Sequence, residues 1–146
     1  KEHIEALINC FNNPATEIAT LAKAFTKEES NNIHNHNGVK VVTDLRNRAL
    51  YFSRATIPYQ RDVEPTEWAE HHTYLKHIGI YAFRTEVLKK ITRLPQSSLE
   101  KAESLEQLRW IESGYKVKIG ITQHETIGID TPEDLVKAEQ FLSSNK

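Results

Sequence analysis

Three side chains in this sequence have the types and spacing to bind a small polar ligand. Arg54 follows a strand pattern rich in aromatic residues in YFSRATIP, and it could grip a carboxylate through two parallel hydrogen bonds. His77 and Tyr81 alternate with apolar residues in KHIGIYAFR, which places both on one face of a predicted strand, ~13 Å apart along it. Both could bond ligand hydroxyl groups. Taken alone, however, the pattern favours a solvated surface arginine and a half-buried histidine–tyrosine pair.

Asp130 is a candidate metal ligand. It lies in GIDTPEDL, after a predicted strand and directly before a helix start. A carboxylate at the end of a strand is a common way to hold Mg²⁺ with few protein ligands. A carboxylate at this position also stabilises the positive end of the following helix. The local pattern alone favours this second role.

Glu106 and Gln107 are polar neighbours on a predicted helix. They lie outside the apolar stripe that includes Leu105 and Leu108, so the periodicity indicates an exposed helix face. Nothing in the local pattern alone gives them a ligand.

The elements that must position these side chains alternate between helix and strand. Thr85 is a predicted helix cap, and Gly114 a predicted residue just after a helix end. This alternation, with a hairpin near the middle, predicts an α/β fold with a mixed sheet flanked by helices. The predicted helices cover residues 3–12, 85–92, 97–111 and 131–142. The predicted strands cover 39–45, 49–54, 74–84 and 116–122, and loops are predicted at 27–38 and 58–70. Residues 17–25 could form a helix or a strand, and the β-branched Ile18 and Thr20 favour a strand.

The composition describes one globular domain of 146 residues. Lys and Arg number 19 against 20 Asp and Glu, and a net charge of −1 argues against electrostatic binding to nucleic acid or to an anionic membrane. No apolar run approaches the roughly 20 residues that a membrane-spanning helix needs. Cys10 is the single cysteine. No internal disulfide is therefore possible, which predicts a reducing, cytoplasmic setting. The apolar neighbours of Cys10 in INCF indicate a core thiol.

Four segments in register resemble the CMP-Kdo synthetases, which are 3-deoxy-manno-octulosonate cytidylyltransferases. They are ALYFSRATIPYQRD at 49–62, KHIGIYAFR at 76–84, LEKAESLEQLR at 99–109 and GIDTPEDL at 128–135. The resemblance implies a nucleotidyltransferase fold of the nucleotide-diphospho-sugar transferase type. It also implies transfer of CMP from CTP to Kdo with release of pyrophosphate, for lipopolysaccharide biosynthesis. Mg²⁺ as cofactor and a homodimer are implied as well.

The resemblance also assigns roles to the candidate residues. Arg54 matches the arginine that helps bind the sugar acid, and His77 and Tyr81 match strand residues that contact Kdo hydroxyls. Glu106 and Gln107 match the pair that reaches the sugar from a helix, and Asp130 matches a metal-binding aspartate.

The sequence departs from the family pattern upstream. It has no methionine, and none of its five glycines lies in a phosphate-binding loop. We therefore expect residues 1–146 to be the C-terminal sugar-binding and dimerisation portion of a cytidylyltransferase. That portion lacks the N-terminal nucleotide-binding half, and we expect it to be inactive alone. Two alternatives stay open: a non-catalytic module that binds a sugar acid and dimerises, or a cytidylyltransferase for another sugar acid such as sialic acid or 8-amino-Kdo.

Overall fold

A five-stranded mixed sheet forms the centre of the computed structural model, which describes residues 1–124. The strands are β1 (Ile18–Ala24), β2 (Lys40–Thr43), β3 (Ala49–Ser53), β4 (Leu75–Phe83) and β5 (Val117–Ile121). Their order across the sheet is β3-β2-β4-β1-β5. The β1–β5 pair is parallel and the remaining neighbours are antiparallel, so the predicted mixed α/β architecture is confirmed.

Helices cover both faces of this sheet. They are α1 (Glu2–Cys10), α2 (Trp68–His71), α3 (Thr85–Ile91), α4 (Ser98–Glu103) and α5 (Gln107–Glu112). On one face, α1 packs Leu7 and Cys10 against Leu21 and Ile78. Gly120 permits this close approach, because a Cβ there would lie 2.8 Å from Leu21 Cδ2 and 2.9 Å from Cys10 Sγ.

The opposite face carries the larger hydrophobic core. Helices α3, α4 and α5 contribute to this core, and the sheet contributes residues of all five strands. The strand alternation predicted for β4 is confirmed, because Tyr81 and Phe83 pack into this core while Ile78 and Ile80 pack toward α1. The buried members of the core are Ile18, Ala22, Val41, Phe52, Val87, Ile91, Leu105, Leu108, Trp110, Val117 and Ile119.

The prediction of one continuous helix over 97–111 was wrong. The chain breaks between α4 and α5 at Ser104, which adopts the left-handed conformation (φ 53°, ψ 49°). The guanidinium of Arg54 binds the carbonyls of Glu103 and Ser104, at 2.8 Å and 3.5 Å. In a continuous helix, those carbonyls would accept hydrogen bonds from the next turn. At the break they accept from Arg54, which lies at the end of a distant strand.

Smaller departures concern caps and loops. Arg84, not Thr85, is the residue that precedes α3, so the predicted Thr85 cap was wrong. The predicted loops at 27–38 and 58–70 contain short helices, at Ser30–His34 and at Pro65–Glu67 followed by α2. Gly114 has φ of +86°, as a residue just after a helix end should. The helix predicted for 131–142 lies outside the described residues.

Candidate functional site

His77 and Tyr81 lie together on the core-facing side of β4, as predicted. Their ring centroids are 5.4 Å apart, much closer than the predicted spacing along an ideal strand. The register explains the difference: Thr20 pairs with Tyr81, but the next residue of β1, Leu21, pairs with Ile78. Two residues of β4 are therefore unmatched in a bulge, and bulges commonly re-aim side chains next to functional sites.

The His77 imidazole is held from several sides. Its Nε2 lies 3.0 Å from the hydroxyl oxygen of Thr20, and its ring meets the Phe52 ring edge-on at 5.0 Å between centroids. The backbone N–H of His77 donates to the carbonyl of Val39, at 2.8 Å. Burial lowers the pKa of His77 from 6.5 to about 4, so the ring is neutral at pH 7.

Tyr81 carries the one buried side-chain polar atom without a hydrogen-bond partner in the described part of the chain, its hydroxyl oxygen. The ring packs edge-on against Trp110, with 5.0 Å between centroids. Burial, and then the negative charge of Glu106, raise the pKa of Tyr81 far above its ordinary value. The phenol therefore stays protonated and keeps a donor for which residues 1–124 provide no acceptor. An unsatisfied buried group of this kind is a sign of a functional site.

A cleft of about 270 Å³ opens beside Tyr81. Phe83, Ile91 and Trp110 form much of its apolar wall, and Glu106 supplies a carboxylate. A mostly apolar cleft with a few convergent polar groups is the usual form of a small-molecule site.

Glu106 and Gln107 start helix α5, and they differ in exposure. Glu106 is exposed, as the helical periodicity predicted. Gln107 is 5% exposed, so its placement on an exposed helix face was wrong. The chain breaks at Ser104, so the periodicity of α4 does not continue into α5, where Gln107 is buried.

A buried ion pair fixes α5 against α4. Arg109 binds the carboxylate of Glu100 through two nitrogen–oxygen contacts, one of them Nε to Oε2 at 2.7 Å. Its Nη1 also donates to the carbonyl of Leu94, at 3.0 Å. Glu100 in turn completes a capping box with Ser97 at the start of α4. The pair therefore holds the turn that presents Glu106.

Arg54 lies directly after β3, at the edge of the α4–α5 turn. Its Nε and Nη2 donate to Glu103 and Ser104 carbonyls, and Nη1 donates to the carbonyl of His36, at 3.4 Å. A guanidinium has five N–H groups, so these three bonds leave two donors that no described residue engages. Arg54 thus has a structural role in this turn and still has N–H groups to bind a ligand carboxylate.

Glu103 and Lys40 hold the backbone around Arg54. The Glu103 carboxylate accepts from the Ser53 hydroxyl at 2.6 Å and from the Arg54 N–H at 2.9 Å. Lys40 has no exposed surface, and its Nζ donates to the carbonyl of Arg54 at 2.5 Å. Sequence patterns did not indicate a role for either residue at the site, because a lysine in a strand and a glutamate on a helix are usually surface residues.

The described residues contain no ready-made metal centre. No group of three or more His, Cys, Asp or Glu side chains within residues 1–124 could hold a metal ion. Asp130, the predicted metal ligand, lies outside the described residues.

Cys10 is buried, and its thiol donates to the carbonyl of Ala6 at 3.4 Å. Burial raises the pKa of this thiol, which agrees with a core thiol. No described helix is long and apolar enough to cross a membrane.

His77 should make the protein sensitive to acid. The pKa of His77 is about 4 in the folded protein and 6.5 in the unfolded chain. As the pH falls, the unfolded chain therefore binds a proton before the folded protein does, and this favours unfolding. The stability that the neutral ring contributes is present above pH 6.5 and is lost as the pH falls toward 4, by at most about 3 kcal/mol. Urea unfolding at several pH values in this window measures the loss.

The matched variant is His77→Gln, which keeps an N–H near the position of Nε2 but does not titrate in this range. It should lose less stability than the wild type between pH 6.5 and pH 4. His71→Gln, at an exposed position, should follow the wild type. Equal acid sensitivity of the wild type and His77→Gln would contradict the assignment.

Comparison with known proteins places this arrangement in a family. The model of the family described as cytidylyltransferase matches residues 1–121. The chain is 56% identical over 147 aligned residues to a 3-deoxy-manno-octulosonate cytidylyltransferase of Phocaeicola vulgatus, covering 100% of this chain and 58% of that protein. It is 58% identical to the protein of the same name from Bacteroides thetaiotaomicron, covering 97% of this chain and 57% of that protein.

The fold of this chain also matches that of a solved structure. A structure of CMP:2-keto-3-deoxy-manno-octonic acid synthetase complexed with CTP matches with a TM-score of 0.86 and 38% identity. The match covers 99% of this chain and 57% of that one. The chain thus has a nucleotide-diphospho-sugar transferase-like fold, and it spans somewhat more than half the length of the curated relatives it matches.

Proposed function

The chain belongs to the cytidylyltransferase family, and we propose that it is the sugar-acid-binding part of a 3-deoxy-manno-octulosonate (Kdo) cytidylyltransferase. The whole enzyme would transfer CMP from CTP to Kdo, release pyrophosphate and supply lipopolysaccharide biosynthesis. The observation that carries the proposal is the pairing of His77 with Tyr81 on one face of β4, where Tyr81 and Glu106 line the same cleft; relatives of the same name match the whole chain.

The residues suit a sugar acid in the following way. Arg54 would bind the carboxylate through its two remaining N–H groups, and His77 and Tyr81 would bond hydroxyl groups. Glu106 would bond a further hydroxyl from the start of α5, and the resemblance assigns the same role to its neighbour Gln107, although that side chain is buried. With the sugar so held, its anomeric oxygen forms a bond to the α-phosphorus of CTP while the bond from that phosphorus to pyrophosphate breaks. In such a reaction the protein contributes mainly positioning and electrostatic stabilisation.

Two features of the proposed enzyme rest on the resemblance, namely Mg²⁺ bound by Asp130 and a homodimer. A third, the cytoplasmic location, rests on the single cysteine. Mg²⁺ would neutralise charge between two anionic reactants. The described residues do not form a metal centre by themselves, so we assign no catalytic step to the ion here. Analytical ultracentrifugation of the protein tests the dimer.

A chimeric protein tests the function directly. The part of the Bacteroides thetaiotaomicron relative that this chain does not match is joined to residues 1–146, and pyrophosphate release from CTP with Mg²⁺ is measured. We expect release that depends on Kdo and that is much slower with sialic acid or 8-amino-Kdo. If the relative is active but the folded chimera releases no pyrophosphate with Kdo, the proposal fails. Preference for another sugar acid would favour that alternative, and Kdo binding without turnover would favour the non-catalytic module.

Glu106→Gln in this chimera should lower the Kdo-dependent rate at limiting Kdo about fivefold, because an amide is a weaker acceptor for a sugar hydroxyl than a carboxylate. The side chain is exposed, so the change should leave the thermal unfolding midpoint unchanged. Glu86→Gln, an exposed position on α3, is the matched control and should leave the rate unchanged. Equal rates for both variants would remove Glu106 from the site.

A further inference from the structure

The side chain of Thr20 contacts three atoms of the neighbouring strand at once. Thr20 lies in the middle of β1 and has no exposed surface. Its hydroxyl oxygen is 2.7 Å from the carbonyl oxygen of Ile80, 3.1 Å from that of Ile78 and 3.0 Å from Nε2 of His77. All three contacts lie at the bulge of β4, which separates His77 from Tyr81 in register. The hydroxyl therefore spans the irregular part of the strand that carries both candidate ligand contacts.

Counting protons at this junction fixes the direction of each bond. A threonine hydroxyl has one proton to donate and two lone pairs to accept with. The two backbone carbonyls can only accept, so the proton must point to one of them to avoid an oxygen–oxygen contact of 2.7 Å without a proton. The lone pairs of the hydroxyl then face His77, and its Nε2 must carry the proton that joins them.

We propose that Thr20 is a positioning residue that holds His77 in the Nε2–H tautomer, so that its Nδ1 lone pair is available to accept a hydrogen bond from the ligand. Within residues 1–124, no hydrogen bond engages Nδ1, and the Phe52 and Tyr81 rings restrict rotation of the imidazole. The identification of the ligand as Kdo rests on the proposed function. The tautomer does not.

The fixed tautomer has a consequence for specificity. A neutral imidazole that presents Nδ1 without a proton accepts a hydrogen bond from a hydroxyl or amine but not from a carbonyl or ether oxygen. When the ligand lacks that hydroxyl, the Nδ1 acceptor of the protein stays buried without a partner. The site therefore binds the deoxy analogue much more weakly than the hydroxylated ligand. His77 would thus select a hydroxyl at one position of the sugar acid.

Nitrogen-15 NMR of the histidine rings at pH 7 tests the tautomer in the wild type, Thr20→Val and Thr20→Ser. Valine keeps the shape but has no hydroxyl, whereas serine keeps the hydroxyl. We expect His77 to show a protonated Nε2 in the wild type and in Thr20→Ser, and a mixture of tautomers in Thr20→Val. His77→Gln identifies the signals. A protonated Nδ1 in the wild type would overturn the proposal without any variant, and so would an unchanged tautomer in a folded Thr20→Val protein.

Kdo affinity of the same three proteins separates the positioning role from the function. Thr20→Val should bind Kdo about tenfold more weakly than the wild type, and Thr20→Ser should bind within about threefold of it. Unchanged affinity in Thr20→Val despite a mixed tautomer would overturn the proposed role of Nδ1. If none of the proteins, including the chimera, binds Kdo while the tautomers behave as expected, the positioning role stands and the proposed function fails.

Discussion

Replacing Lys40 with methionine should destabilise the protein by about 3 kcal/mol, because three backbone carbonyls lose a charged donor together. The Nζ of Lys40 donates to the carbonyls of Asn35, Gly38 and Arg54, at 2.8, 2.6 and 2.5 Å. Methionine has a similar volume and no donor, so all three carbonyls lose the bond from Lys40, and within residues 1–124 the carbonyl of Asn35 alone keeps a second donor, the Gly38 N–H at 3.2 Å. The mutant no longer buries an ammonium group, which offsets part of the loss, but the three lost hydrogen bonds from a charged donor outweigh this gain.

Urea unfolding at pH 7 measures this change. Burial lowers the pKa of Lys40 to about 8, so at pH 7 the side chain is still mainly a cation with three donors. Lys90→Met, on the exposed side of α3, is the matched control and should change the free energy of unfolding by less than about 0.5 kcal/mol. If Lys40→Met were as stable as the control, the three contacts would contribute nothing net.

The same substitution should weaken sugar-acid binding in the proteins that remain folded. Lys40 joins the loop around Asn35 to the backbone of Arg54, and Glu103 holds the next hydrogen bonds along that backbone. Without Lys40 this segment is free to shift, and a shift of about 1 Å at a positioning residue can reduce activity by two orders of magnitude. We therefore expect the loss in Kdo affinity to exceed what partial unfolding explains, as isothermal titration well below the unfolding midpoint would show.

Much of this fold could be predicted from local pattern. The alternation in KHIGIYAFR placed His77 and Tyr81 on one face of β4, and the apolar spacing of residues 3–12 gave α1. Both signals depend only on the period of a strand or a helix, which the sequence displays directly. The hairpin of β2 and β3 followed from its two strand-like runs and their short polar turn.

The features that the patterns missed depend on distant contacts. The break at Ser104 is stabilised by Arg54, about 50 residues earlier in the chain, and the bulge in β4 by Thr20, nearly 60 residues earlier. Gln107 lies beyond that break and is buried, although its position on a continuous helix would expose it. Such contacts leave no periodic trace, so the side chains that shape the site around His77 and Tyr81 were found only in the structure.

Tyr81→Phe should raise stability and lower ligand affinity in the same protein. The Tyr81 hydroxyl is buried without a partner in the described part of the chain, and leaving such a group unsatisfied costs about 1–3 kcal/mol. Phenylalanine keeps the contacts with Trp110 and Phe83 and removes the cost, so the free energy of unfolding should rise by about 1 kcal/mol. Thermal and urea unfolding measure this gain.

The opposite effect is expected on binding. The hydroxyl oxygen has almost no accessible surface, so a sugar acid that reaches it must move side chains at the cleft, such as the exposed Glu106. Once there, the phenol donates a hydrogen bond in a dry site, and losing that bond should weaken Kdo binding ten- to hundredfold, or by about 1.4–2.8 kcal/mol.

Tyr59→Phe, at a position 76% exposed, is the control and should change neither stability nor affinity. A gain in stability with unchanged affinity would show that the Tyr81 hydroxyl does not contact the ligand. A loss of stability would show that the hydroxyl is satisfied within the folded protein, and the reason for regarding Tyr81 as a ligand contact would be lost. A tyrosine that serves only to pack the core gains no stability from a hydroxyl without a partner. Stability and Kdo affinity measured together therefore decide whether the Tyr81 hydroxyl serves ligand binding.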